Sequence, residues 1–161
     1  MAAGGLAGTF NFHITLNRSD GSSRSLGDGG FQECNGLEIE MDGKEIKEGG
    51  RNDGTVRLVG RGKYTNIVLK RGMLFPDNGT VRSELWRWLQ GVLSGERPVR
   101  RYDGVIEVLS SDRQDIVATW TFDRGLPSKI GGPQLNAKTG EIAIEELTIA
   151  HEGLRLRPPR I

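Results

Sequence analysis

The hydrophobic positions of this chain follow two periods, and most follow a period of two. In the last third, Trp120 and Phe122 alternate with Thr119, Thr121 and Asp123, which predicts a long strand with one buried face. Past the glycines and proline at 131–133, Ile142 and Ile144 share one parity while Leu147 and Ile149 share the other. The apolar face therefore changes sides at Glu145-Glu146, predicting a bulge there or a strand that passes from one sheet to another. Upstream, Phe10, Phe12, Ile14 and Leu16 alternate with Asn11, His13 and Thr15, a strand over 9–17. Within 31–42, Leu37, Ile39 and Met41 oppose Glu38, Glu40 and Asp42, giving a strand with an acidic face. Asp42-Gly43 is a hairpin signal, so 44–48 is expected to return antiparallel. Further strands are expected over 64–71 and 104–110. In one place the period becomes helical: Val81, Leu85, Trp88, Leu89, Val92 and Leu93 recur every three or four residues. Asn78 or Thr80 caps this helix, and Gly95 and Pro98 end it. Trp86, off the main stripe, either widens the buried face or sits exposed at a contact.

These patterns predict a mainly β protein with a two-sheet, strongly bent architecture and one α-helix. The 161 residues suit a single domain. Its expected limits are 10–154, between a small-residue flexible arm at 1–9 and a basic tail at 155–161, with a polar glycine-serine loop at 18–30. Glycine is abundant, 24 residues without a fixed period, which favours a turn-rich sheet protein over collagen or a linker. Residues 49–63 stand apart, because Gly49, Gly50, Gly54, Gly60 and Gly62 are interleaved with Arg51, Arg57, Arg61 and Lys63. Such a segment buries too little apolar surface to offset its ordering cost alone, so it is expected to order on a partner.

Charge and cysteine content remove several function classes. A net charge of +1 gives no global field to draw the chain to nucleic acid or an anionic membrane. The lone cysteine, Cys34, excludes an internal disulfide and a cysteine-rich zinc site, and suits a reducing compartment. The first residues lack a basic segment followed by an apolar core, so synthesis and folding in the cytoplasm are expected.

Local chemistry adds no catalytic set. Lys138-Thr139-Gly140 lacks the Ser-x-x-Lys and Ser-Asp-Asn elements that accompany it in penicillin-binding proteins. Gly60-Arg61-Gly62-Lys63 fails the phosphate-loop spacing, and Asn78-Gly79-Thr80 reads as a turn and helix cap. A metal site would need both histidines, His13 and His151, with Glu145 or Glu146. Adjacent strand residues such as Glu145 and Glu146 point to opposite faces unless bulged, and Cys34 has no activating neighbour in sequence. The expectation is a non-enzymatic protein without cofactor or metal. Long alternating strands leave edges that need to be covered, closed or built into an assembly.

With these residues in place, the chain resembles the tail tube proteins of contractile phage tails and of phage-tail-like contractile injection systems. The resemblance runs from about Phe10 to Leu154. It is carried by Phe31-Gln-Glu-Cys-Asn-Gly-Leu-Glu-Ile-Glu40, Glu48-Gly-Gly50, Lys63-Tyr-Thr-Asn-Ile-Val-Leu-Lys-Arg-Gly72, Leu85-Trp-Arg-Trp88, and the run from Trp120 to Gly153 with Ala150-His-Glu-Gly-Leu154 at its end. It implies two packed antiparallel β-sheets, barrel-like or a sandwich, with one flanking α-helix, and hexameric rings whose strands join into a continuous inner barrel, stacked into a tube that a contracting sheath drives through a target envelope. Implied partners are further copies, the sheath outside, baseplate and spike components at one end, and cargo or DNA in the lumen. Gly49, Gly50, Arg51, Arg57, Arg61 and Lys63 would then contact the neighbouring ring. Glu38, Glu40, Lys70 and Glu145 are the candidate lumen-facing residues. The loop at 18–30 and the tail at 155–161 exceed the core pattern, which leaves the baseplate-proximal tube initiator as the alternative to the repeated shaft subunit. A reading from another class is a soluble small β-barrel that binds a ligand in its cavity.

Overall fold

The computed structural model describes residues 8, 11–22, 24–26, 30–46, 56–73 and 83–157. Eleven strands and one helix follow in order: β1 Phe12–Arg18, β2 Glu33–Asn35, β3 Ile39–Met41, β4 Lys44–Ile46, β5 Val56–Leu58, β6 Gly62–Tyr64, β7 Ile67–Gly72, α1 Glu84–Leu93, β8 Tyr102–Leu109, β9 Ile116–Gly131, β10 Ile144–Ala150 and β11 Gly153–Arg157. All pairings are antiparallel.

The sixteen-residue β9 belongs to two sheets. Its first half pairs with β8 and β11, and β8 in turn pairs with β1; its second half pairs with β10, which continues through β7 to β2. The inward rows of the two sheets meet in one core, where Ile14, Leu16, Ile106 and Phe122 pack with Ile67, Leu69, Leu147 and Ile149. Gly104 admits the Phe122 ring: a Cβ there would lie 2.0 Å from a ring carbon, so only glycine lets the two strands stay in register. The alternation of Trp120 and Phe122 with threonines is thus the long strand that the sequence pattern predicts, while the passage between sheets, expected at Glu145-Glu146, is made by this strand instead.

Helix α1 closes the open side of the sandwich through Leu85 and Trp88, both fully buried, with Trp88 stacked edge-on against Tyr102. The Trp88 indole donates to the Arg100 carbonyl at 2.8 Å. The helix ends as expected at Gly95, whose φ of +88° is the left-handed C-terminal conformation that glycine supplies without strain. Its described start is Ser83, which makes no side-chain cap hydrogen bond; Asn78 and Thr80 lie outside the described residues. Leu93, counted in the apolar stripe, is 77% exposed, because the stripe turns off the core in the last turn.

Three further expectations need correcting. Asp42-Gly43 is not a hairpin: β3 pairs with β6 and β4 with β5, so 39–46 runs outward as one arm of a long ribbon and 56–64 returns beside it. Gly60 sits against this passage so closely that a Cβ would fall 1.3 Å from the Asp42 carbonyl oxygen. No bulge flips Glu145-Glu146, since Glu145, Leu147 and Ile149 all face inward and the register shift falls instead between Thr148 and Ile149. Ile144 on the other face is simply exposed. Arg155, Leu156 and Arg157, expected in the basic tail, continue β11 along β9. The loop at 18–30 is likewise tied down at several points: Leu26 is buried, its amide donates to the Leu16 carbonyl, and Ser25 bridges Asn17.

Candidate functional site

Two surfaces stand out, a projecting ribbon and a bare sheet face. The ribbon carries Ile39 at 60% exposure, Met41 at 55% and Val59 at 82%, a concentration of apolar side chains that a strand pair in water does not need. Its root is held firmly. Gly36 has φ +96° and passes so close to Asn66 that a Cβ would meet the carbonyl oxygen at 2.0 Å. His151 donates from Nε2 to the Thr65 carbonyl at 3.0 Å and packs its ring between Tyr64 and Phe122. The Thr65 hydroxyl donates to Glu38 at 3.2 Å. An arm with an anchored root and an apolar, exposed shaft is a candidate contact surface.

Of the expected contact residues, Gly49, Gly50 and Arg51 lie outside the described residues. Arg57 belongs to β5, in register with Glu45, and Lys63 to β6, in register with Glu40; Arg61 sits between these strands, its carbonyl accepting from the Asp42 amide. The described residues of this glycine-arginine segment therefore form the returning arm of the ribbon. Glu38 lies at the ribbon's root and Glu40 on β3.

The bare face belongs to the second half of β9 with β10, β7 and β2. Glu33, Lys70 and Glu146 form one row across three strands, with Lys70 Nζ at 3.4 Å from Glu33 and 3.8 Å from Glu146. Asn35, Val68, Thr148 and Lys129 form the next row. Asn35 donates to Glu33 at 3.0 Å; this bond and, after it, the Lys70 charge hold the Glu33 carboxyl below its ordinary range.

Glu145 is not on that face and does not face a lumen. It is 1% exposed and points inward, accepting hydrogen bonds from Arg71 Nε and, at 2.9 Å, from the Trp86 indole. Arg71 also reaches Glu84 at 2.9 Å and lies over the Phe31 ring. Trp86 thus widens the buried face of α1 and is not left exposed at a contact. Sequence alternation misses this site because a glutamate inside an apolar row breaks the pattern; Arg71, at the same parity as Ile67 and Leu69, is the available signal.

The candidate metal set does not assemble. His13 lies in the other sheet opposite Glu107, Glu145 and Glu146 point to opposite faces, and no group of three potential ligands occurs among the described residues. Burial pushes the Cys34 thiol up to about 11, the opposite of an activated nucleophile.

Comparison with known proteins agrees with this architecture. The chain is similar to a protein of the sheath–tube complex of the PVC extracellular contractile injection system in its extended state, at TM-score 0.77 and 21% identity over 94% of this chain and 91% of that one. It is similar to proteins of the anti-feeding prophage baseplate, at 0.77 and 22% over 98% and 97%, and of the tube-terminating cap of the same particle, at 0.80 and 20% over 99% and 95%. At these identities the likeness is one of fold. No curated protein sequence matches. The model of the family described as T4-like virus tail tube protein gp19 matches residues 8–155, nearly the whole chain. The chain belongs to the T4-like virus tail tube protein gp19 family.

Proposed function

We propose that this protein is the repeating subunit of the inner tube of a contractile injection system or phage tail, assembling as stacked hexameric rings that form the conduit driven out by sheath contraction. The observation that carries the reading is the sheet β9–β10–β7–β2, which among the described residues is unpaired at both ends. Among the described residues, β8 leaves β9 after Gly125, so that 126–131 have a free edge, and β2 pairs only with β7. Strand direction alternates across four strands, so β2 and β9 run opposite ways. A copy added at either end extends the sheet antiparallel, and a closing ring removes every free edge of it. The β1 edge of the other sheet is partly covered by residues 24–26, which suits it less to ring closure.

In this reading the bare face with Lys70 lines the channel, through which cargo or DNA passes. The ribbon with Arg57, Arg61 and Lys63 contacts a neighbouring copy or ring, taking Glu38 and Glu40 with it. Sheath lies outside, and baseplate and spike components meet one end. A second reading, the baseplate-proximal initiator ring, has the support that one similar protein comes from a baseplate. Gold labelling of a tagged subunit on sheathless particles separates the two: label along the shaft marks the repeating subunit, and label at one end the initiator. A functional tagged protein never found on particles would overturn both and return the small ligand-binding barrel.

A further inference from the structure

The two open edges of the channel sheet carry opposite charges. On β2, Glu33 is half exposed on the bare face. On β9, Lys129 is exposed on the same face and makes no ion pair among the described residues. The positions between them are occupied: Lys70 lies between Glu33 and Glu146, so charges alternate from β2 to β10 and then stop one row short of Lys129.

Resting on the tube reading above, we propose that Glu33 of one copy pairs with Lys129 of the next across the ring seam, and that this pair sets the register in which the channel sheet closes. The seam must keep the bare faces of both copies in phase, so its register changes only in steps of two residues. Carrying the rows straight across would put Glu33 opposite Gly131 and diagonal to Lys129; one step puts it opposite Lys129 itself, and that is the register proposed. Directly opposed residues are roughly 4.5–5.5 Å apart, against roughly 7–8 Å on the diagonal, so the pair is closest there. The in-phase registers on either side open the pair to the diagonal, and those beyond separate the charges. An ion pair at this edge therefore rejects slipped registers as much as it attracts the correct one. With the seam made in that register, a channel row reads Lys129 of one copy and then Glu33, Lys70 and Glu146 of the next, with equal numbers of each sign. A wall of that kind retains neither polyanions nor polycations by net charge.

The test is carried out on the full chain with Cys34→Ala, so that the only thiols are those introduced. Glu33→Cys combined with Lys129→Cys should give a ladder of covalent multimers on mild oxidation of assembled rings or tubes, whereas either cysteine alone should give no species beyond a dimer. Charge reversal provides the second arm. Glu33→Lys or Lys129→Glu should weaken assembly by at least about tenfold in the concentration needed, through like charges at the seam. The double reversal should recover most of that loss. Rings or tubes seen by electron microscopy without the ladder, or without recovery in the double reversal, overturn the seam and leave the tube reading standing. A chain that folds, stays monomeric under all conditions and is never found on particles overturns the tube reading and the seam with it.

Discussion

Lys70 and Arg71 are neighbours on β7, as Glu145 and Glu146 are on β10, yet alternation sends one of each pair to opposite sides of the same sheet. Lys70 and Glu146 meet on the bare face, each 36–45% exposed at the side chain. Arg71 and Glu145 meet inside, at 3% and 1%, where Trp86 and Glu84 of the helix join them. The same pair of charges does different physical work in the two places. Outside, water competes for both partners and the pair is worth about 0–1 kcal/mol, so it is free to select a neighbour. Inside, desolvation makes each charge dependent on the other, and the pair fixes where the helix lies.

The largest expected effect follows from breaking the inner pair. Glu145→Ala leaves Arg71 buried with one partner and strips the Trp86 indole of its acceptor, and should lower unfolding free energy by about 3–5 kcal/mol. At roughly 2–4 °C per kcal/mol for a chain of this size, thermal unfolding should shift down by about 10 °C. Urea titration by circular dichroism measures it. The double variant Arg71→Met with Glu145→Leu should cost less than Glu145→Ala alone, since no charge is then stranded in that row; an equal or greater loss would mean that packing, and not charge, dominates the site. A smaller loss, about 1–3 kcal/mol, is expected from Trp86→Phe, which keeps the ring and removes only the donor to Glu145.

The same contrast explains what can be read from sequence. The strands that alternate cleanly, β1 and the first half of β9, are legible because their inward rows are wholly apolar. Glu145 enters the candidate lumen set because a buried glutamate and an exposed isoleucine, Ile144, invert the rule that locates the core. Only the partner, Arg71, seventy-four positions away, makes the inversion stable, and that pairing is a property of the register. Asp42-Gly43 misleads for a related reason. A turn dipeptide reports what the backbone tolerates, while Ile39 to Ile46 find their partners on a return arm that begins at Val56. The edges of β2 and β9 that stand open among the described residues are invisible to pattern, because an edge is the absence of a neighbour.

On the outer face, Lys70→Gln should change the stability of the isolated subunit by no more than about 1 kcal/mol, the range for exposed pairs. A loss comparable to that of Glu145→Ala would erase the distinction between the two rows. Comparing both variants in the same urea titration sharpens it.

The smallest effect lies between the rows, at Cys34, which sits next to Glu33 on β2 but faces the core opposite Leu69. Burial raises its thiol from 9.0 to about 11. The folded state therefore favours the neutral thiol. That stability is fully present below the unfolded value near 9 and is lost only as pH rises through about 11. Across neutral pH the group is silent in stability and visible only in rate. A shift from 9.0 to about 11 lowers the thiolate fraction about a hundredfold, so a thiol reagent at pH 8 should label the folded chain at least that much more slowly than the urea-unfolded chain. Glu33, one residue away on the outer face, titrates in the opposite sense. Its lowered carboxyl stabilises the fold above the ordinary carboxylate value and ceases to do so as pH falls through the folded one. Fast labelling of Cys34 in the native chain would show that β2 detaches from β7 in solution. In that case, on the tube reading, the sheet would gain its last strand only when a neighbouring copy holds it.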